Sequence, residues 1–460
     1  MIHAGKFIKL FWRHCAELLL LLAIFLLPWQ TRWIFHAETL TGYPYEYGSR
    51  SIYGVDIVII AACIIGLLTW NAQNQARFRK YQTLFLSTIT FWLACYLSFF
   101  FALDKSMSGW WLGNLGFGMV FCWILIWKEV SWKRAAWAFV SAMTIQALLG
   151  LIQWKLQIIP PSTYLGIAQQ LPEIPGTQVI DTLPFGRVLR AYGSFPHPNI
   201  FALYLSLGIT LATALLHTHI DTPARNRRLW LLGVIGLGTI IAIQSAGLWV
   251  AASRSSIIAL GIVGISLALW HALEYRRPHS ALIIAAASIA LPFVILTAAC
   301  PWYVSPRIDG ISNVAAIADT NNTVDSARLE RKSVAERYTN TSVALDTIQT
   351  HYLTGIGIGN STTITREPVH NVWLLIFQET GIFGMFAATL FATTLAWTIA
   401  SQYRATAKHS RSEAALYAST GMLSILVISS LFDHFLWSLH PGILLVWLCI
   451  AFSFLAVDEA

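Results

Sequence analysis

Stretches of about twenty apolar residues recur twelve times along this chain of 460 residues. They fall at roughly 14–35, 52–70, 84–103, 109–127, 135–157, 198–216, 229–249, 255–272, 281–300, 371–400, 413–431 and 437–456. A helix of about 20 residues is what the hydrocarbon core of a bilayer requires. Lipid offers the backbone no hydrogen bonds, so each stretch is predicted to be a helix that satisfies its own N–H and C=O groups. Charged residues make up only 11% of the chain, against about 25% in a soluble domain, which excludes a string of soluble domains. The expected fold class is all-α: a polytopic integral membrane protein of about 12 transmembrane helices, with a large, partly helical extracytoplasmic loop before span 10.

The net charge of +8 would suit a nucleic-acid partner in a soluble protein. Here the basic residues sit in short connections between spans, and membrane orientation accounts for them, so no nucleic acid is expected. Lys6, Lys9 and Arg13; Arg77, Arg79 and Lys80; Lys128, Lys133 and Arg134; Arg225, Arg227 and Arg228; Arg276 and Arg277; and Arg404, Lys408 and Arg411 all fall on one side if the N-terminus is inside. The short connections on the other side hold only Arg50 and Lys105. This positive-inside pattern predicts a multi-pass protein of the cytoplasmic (inner) membrane with both termini in the cytoplasm. The run Leu18–Leu27 follows a basic start but lacks a small-residue cleavage site, and is read as the first span. The six cysteines, at 15, 63, 95, 122, 300 and 449, form no CxxC pair, so neither a disulfide nor a thiolate metal site is expected.

Three regions follow: N-terminal membrane helices over 1–160, a core over 161–400 that includes an extracytoplasmic loop at 301–370, and C-terminal membrane helices over 401–460. Another long outer connection, 158–197, is rich in Pro and Gly. Within 301–370, Ser326–Thr350 has helical composition, with apolar positions at Val334, Tyr338, Val343, Leu345 and Ile348 and charges crowding its first half. It is predicted to be an amphipathic helix over the membrane mouth. The run Gly355-Ile356-Gly357-Ile358-Gly359 must turn, because glycine breaks helices and permits positive φ.

Basic residues at the far side of a membrane imply something anionic. Arg190-Ala191-Tyr192-Gly193-Ser194-Phe195-Pro196-His197-Pro198-Asn199 leads into the sixth span. Pro198 suits a first helical turn, and a helix N-terminus beside Arg190 makes an anion cradle; a helix cap beside a surface arginine would read the same way. Ser253-Arg254-Ser255-Ser256 breaks the apolar sequence between spans seven and eight. An arginine at that depth is expensive unless it is paired or hydrated, and its planar fork suits phosphate; a snorkelling interfacial arginine is the alternative. His370-Asn371 stands where the long loop enters span ten, and a neutral imidazole there could take a proton from a hydroxyl or merely sit at headgroup level. Glu379 is a further intramembrane ionisable group. Asp433-His434, with His440 close behind, form a fourth polar cluster that could support the site, although hydration of the last outer loop is the favoured reading. There is no Asp-x-Asp, HExxH or Walker A sequence, so no metal and no nucleotide cofactor is expected.

These motifs, in this order, resemble the O-antigen ligase/polymerase superfamily of membrane glycosyltransferases. The text that carries the resemblance is Arg190 with Gly193–Asn199, then Ser253-Arg254, then Arg337 with Ala344, Leu345 and Ile348, then Leu353–Asn360, then His370-Asn371 with Gln378–Gly384. It spans about 185–400, so the core is O-antigen ligase-like. The resemblance implies transfer of a glycan from a polyprenyl-diphosphate carrier, such as undecaprenyl diphosphate, to an acceptor hydroxyl on the outer face. Such transfer serves polysaccharide or lipopolysaccharide biosynthesis in the cell envelope. It implies catalytic roles for His370, Arg254 and Arg190, substrate contacts at His197, Asn199, Ser253, Arg337, Asn371 and Glu379, and metal-independent, inverting chemistry. The acceptor stays open among a lipid core sugar (ligase), another glycan (polymerase) and a protein (O-oligosaccharyltransferase). A transporter or flippase for lipid-linked anions is the reading from another class.

Overall fold

In the computed structural model, the described residues are 2–40, 43–128, 130–182, 185–222, 226–275, 279–304, 325–406 and 413–458. Arg225, Arg276, Arg277, Lys408 and Arg411 of the inner connections, and 305–324 of the long loop, lie outside them.

Each of the twelve apolar stretches corresponds to a helix. In chain order the helices are α1 (Ile2–Leu26), α2 (Gly54–Leu68), α3 (Ala72–Lys80), α4 (Gln82–Phe99), α5 (Lys105–Trp127), α6 (Trp132–Leu156), α7 (Pro198–Asp221), α8 (Arg227–Ala251), α9 (Arg254–Tyr275), α10 (Ser280–Ala299), α11 (Asp325–Thr350), α12 (Val372–Thr406), α13 (Glu413–Ser430), the single turn α14 (Phe435–Ser438) and α15 (His440–Asp458). The protein is an all-α, multi-pass membrane protein. Among the described residues nine helices are long and apolar enough to cross a membrane, ten if α2 and α3, bent by 109°, form one broken span. That is fewer than the twelve expected. The helix in the last apolar stretch, His440–Ala456, is one of the shorter apolar ones.

The first stretch ends early. Pro28 follows α1 within two residues, and a proline cannot continue the backbone ladder. Two short antiparallel ribbons follow instead, β1 (Arg32–His36) with β4 (Arg50–Tyr53) and, between them in sequence, β2 (Thr39–Leu40) with β3 (Tyr43–Pro44). A third ribbon, β5 (Val179–Thr182) with β6 (Gly186–Leu189), leads to Arg190.

The centre of the bundle is α7. Buried residues fill 94% of its apolar window, against 11% for α10, so α7 is enclosed by protein while α10 turns most of its surface to lipid. Helices α6, α8, α9, α10 and α13 pack around α7. Its N-terminus therefore opens at one end of the bundle amid several other elements.

Two expectations for the long loop need adjustment. The helix over Ser326–Thr350 is present as α11, but Tyr338 and Leu345 are exposed, and the buried positions are Ala344, Thr347 and Ile348. Those three follow the i, i+3, i+4 spacing of a single helix face, which Val343 and Leu345, two apart, cannot share. The tenth span is also interrupted: Gly381 has φ +63° and non-helical geometry inside α12. The glycine run explains why. Gly355, Gly357 and Gly359 all have positive φ, and their loop lies in the break. The amides of Ile356 and Gly357 donate to the carbonyls of Gln378 and Glu379, and the Ile382 amide donates to the Tyr352 carbonyl. A Cβ on Gly355 would stand 2.3 Å from the carbonyl carbon of Glu379. With positive φ and a backbone clash together, Gly355→Ala is expected to destabilise by more than about 4 kcal/mol; the readout is the loss of monodisperse protein after detergent extraction.

Candidate functional site at one end of the bundle

The loop before α7 is held from the side by α6. Gln153 Nε2 donates to the Gly193 carbonyl at 2.7 Å and its Oε1 accepts from the Tyr192 amide at 3.2 Å; Gln146 Oε1 accepts from the Ser194 amide at 2.8 Å. The Ala191 amide donates to the Val250 carbonyl at the end of α8. This loop delivers Arg190, which is 5% exposed, to the corner between α8 and α9. The corner turns through Ala252 at φ +51°. Arg190 Nε donates to the Ala251 carbonyl at 2.8 Å and its Nη2 to the Ala252 carbonyl at 3.3 Å. The two arginines thus belong to one feature: Arg190 braces the turn from which half-buried Arg254 emerges. Ser253 is buried in that turn, its hydroxyl 3.2 Å from that of Ser256.

Arg190 Nη2 also donates to Asn199 Oδ1 at 2.9 Å, and Asn199 Nδ2 donates onward to Asp433 Oδ2 at 3.4 Å. The other Asp433 oxygen accepts from the His434 amide at 2.9 Å, and His434 Nδ1 lies 2.6 Å from Ser438 Oγ. The His434 ring meets the His370 ring edge-on, with centroids 4.9 Å apart. Tyr47, from the turn after β3, packs on the other side of His434 at 5.5 Å. One connected cluster therefore joins Arg190, Asn199, Asp433, His434 and His370, which come from residues as far as 244 positions apart.

The remaining expected residues have places around it. His197 Nδ1 caps α7 by accepting the Asn199 amide, and Asn371 Oδ1 caps α12 by accepting the Leu374 amide. Arg337, exposed on α11, acts electrostatically on both His370 and His434. Glu379 is committed to the protein itself: its carboxylate accepts from Trp437 Nε1 at 2.7 Å and from the amides of Gly359 and Ser361 at 2.8 and 3.2 Å. It pins the glycine loop to α12.

The structure also favours the less expected reading of the last outer loop. Asp433 and His434 do not merely hydrate a loop; they are the link between Asn199 and His370. His440, by contrast, stands apart from them, 2.8 Å from Asp56 of α2 and stacked on Tyr53. Gln146 and Gln153 left a usable sign, two amides seven residues apart on one face of an apolar span.

Burial holds His197 down to about 3, helped by Arg190, and holds His434 down to about 4, helped by His370 and Arg337. His370 is likewise below its usual value, through burial and then Arg337, with Asp433 pulling the other way. Asp433 lies below the carboxylate range: burial pushes it up, but the surrounding histidines and the His434 amide outweigh that. At neutral pH the imidazoles are therefore neutral beside an ionised carboxylate. His370 Nδ1 is buried with no hydrogen-bond partner among the described residues, and such an orphan calls for an explanation. A histidine with a lowered native pKa leaves stability intact above about pH 6.5, the unfolded value, and costs stability as pH falls, because only the unfolded chain then takes up the proton. The apparent Tm is expected to fall between about pH 6.5 and 4, and to fall less in His434→Gln.

Residues 237–389, which include Arg254, Arg337, His370 and Glu379, match a family model described as O-antigen ligase. This stretch, about a third of the chain, is similar to O-antigen ligase. The match supports the superfamily resemblance carried by the motifs, and with it glycan transfer of the O-antigen ligase kind in general. Arg190, Asn199 and Asp433 lie outside the matched O-antigen ligase stretch and join it through the hydrogen bonds above. No curated protein matches the chain.

Proposed function

We propose that the protein transfers a glycan from a polyprenyl diphosphate to an acceptor hydroxyl on the outer face of the cytoplasmic membrane. The observation that carries this reading is the connected cluster at one end of α7, which links the braced arginine corner through Asn199, Asp433 and His434 to a neutral His370, with Arg254 and His370 both inside the stretch that matches O-antigen ligase. The diphosphate is both the anion and the leaving group. Arg254, on the corner that Arg190 braces, stabilises its growing charge. The acceptor oxygen attacks the anomeric carbon as the bond to the diphosphate oxygen breaks, and the acceptor proton passes to His370. Asp433, ionised nearby, stabilises the single positive charge on the His370 imidazolium, while His434 stays neutral against its ring. Direct displacement of this kind inverts the anomeric centre, and no metal is needed to neutralise the leaving group.

Broken helices are also a device of transporters, where the freed backbone groups bind substrate. Here the break at Gly381 is filled by the Ile356 and Gly357 amides, which favours the enzyme. The test is purified protein with a polyprenyl-diphosphate glycan and lipid, glycan and protein acceptors, without added metal. Sugar transfer with release of the diphosphate lipid supports the proposal, and the productive acceptor names the branch. Vectorial lipid movement in liposomes without transfer to any acceptor would sink it.

A further inference from the structure

A second polar cluster lies at the other end of α7, where the glycan-transfer reading has no use for it. His217 is about 27 Å from Asn199 along the helix, at 1.5 Å per residue. It is 1% exposed, and His271 of α9 is 3% exposed. Around them stand Asp221 of α7, His279 at the start of α10, and Glu413 at the start of α13. Three histidines and two carboxylates from four helices converge in an otherwise apolar bundle.

The hydrogen bonds orient these rings. His279 Nδ1 accepts from the Ala281 amide at 3.1 Å, so its proton is on Nε2, which lies 3.0 Å from Asp221 Oδ1. The His279 ring stacks flat on His217, with centroids 3.8 Å apart. His217 Nδ1 lies 3.1 Å from the second Asp221 oxygen. The tautomer with its proton on Nδ1, on the side of that carboxylate, carries its lone pair on Nε2, facing Glu413. His217 Nε2 and His271 Nε2 stand 3.5 and 3.6 Å from the same Glu413 oxygen, Oε2. Neither ring nitrogen of His217 makes a hydrogen bond among the described residues, although both are buried.

A lone pair facing a carboxylate oxygen is repulsive unless a cation sits between them. Distances of 3.5 and 3.6 Å are long for a hydrogen bond. They are close to the edge of a tetrahedron around zinc, about 3.3–3.5 Å for bonds of about 2.0–2.1 Å. The three donor atoms lie within 4.8 Å of one another. We infer that His217, His271 and Glu413 form a binding site for a divalent transition-metal ion, zinc by preference, with Asp221 and His279 as the outer partners that set the His217 tautomer. The two carboxylates balance the charge of the ion. The C-terminal ends of α7 and α9, which carry partial negative charge, also favour a cation there. The Glu413 side chain is 20% exposed and provides the entrance. The ion would tie α7, α9 and α13 together at the end of the bundle away from the transfer site, with its fourth position left to water.

The full-length protein, purified in detergent and stripped with a chelator, is to be titrated with Zn²⁺ at pH 7. Binding is read by metal analysis and by the shift in thermal unfolding. Wild type is expected to take up about one ion per chain, as a single three-ligand zinc centre requires, and to unfold at higher temperature with zinc than without. Asp221→Asn should bind about 10–100-fold more weakly, the usual loss for an outer partner. His271→Ala and Glu413→Gln should lose more. Glu413→Gln is close to isosteric and partly exposed, so it separates lost binding from failed folding. Equal zinc uptake in wild type and Glu413→Gln, or no saturable uptake by wild type, overturns the site. Stability that responds to pH but not to zinc would assign the cluster to protons instead and likewise overturn it.

Discussion

His370→Ala is expected to lower the rate of glycan transfer by about 10²–10⁴-fold, the range a single general base contributes, while membrane insertion and apparent Tm stay close to wild type. The expectation rests on what the imidazole does not do. His370 touches His434 through ring contact alone, and its buried Nδ1 has no hydrogen-bond partner among the described residues. Removing the ring therefore breaks no bond that holds the fold. The pH profile adds a second check. Because burial holds His370 below the ordinary histidine value, the wild-type rate should be flat near neutrality and should fall only in acid, as the base becomes protonated. His370→Gln should lose that limb along with the activity. A steep rise of wild-type activity between pH 7 and 9 would point to a different base.

Arg254→Ala is expected to cost about 10²–10³-fold in kcat, the scale of losing one preorganised donor to developing negative charge. Arg254→Lys should recover little, because an ammonium cannot make the two-pronged contact of a guanidinium with two phosphate oxygens. Arg190 should behave differently. Its guanidinium is spent on the carbonyls of Ala251 and Ala252 and on Asn199, so Arg190→Ala should disturb the corner itself and lower both activity and stability. Measured kcat and KM for the donor, beside apparent Tm for each variant, separate the two roles.

The helices were legible because lipid leaves a chain so few choices. A run of twenty apolar residues can satisfy its backbone within itself only as a helix, and each of the twelve runs holds one, although the first is helical only as far as Leu26. What lipid does not dictate was harder to see. Pro28 ends α1 while the sequence is still apolar, and composition alone does not weigh that. The glycine run announced a turn, but nothing in Gly355–Gly359 says that the turn lies in a break of α12, since that requires Gly381 to be across from it. Arg190, Arg254 and His370 announced themselves as basic residues at the ends of apolar runs that the charge pattern would leave without them. Asp433 and His434 did not, because an acid beside a histidine in a short loop looks like any hydrated corner. Their part follows from Asn199 standing one helical step beyond Pro198 and facing that corner, a tertiary fact. The histidines at 217, 271 and 279 are spread over sixty residues without a metal-binding spacing, so their meeting, too, exists only in the folded chain.

The central claim is that residues from distant segments act as one site, and a double-mutant cycle on kcat/KM for transfer tests it most directly. The variants are Asn199→Ala, His370→Gln and the pair, which lie at the two ends of the Asn199–Asp433–His434–His370 chain. Residues in one network couple by about 0.5–3 kcal/mol. The account predicts that the double variant loses clearly less than the product of the single losses, since losing Asn199 already shifts Asp433 and with it the field and packing that position His370. Losses that multiply, within the ordinary additivity of independent sites, would show that Asn199 and His370 work apart and would contradict it.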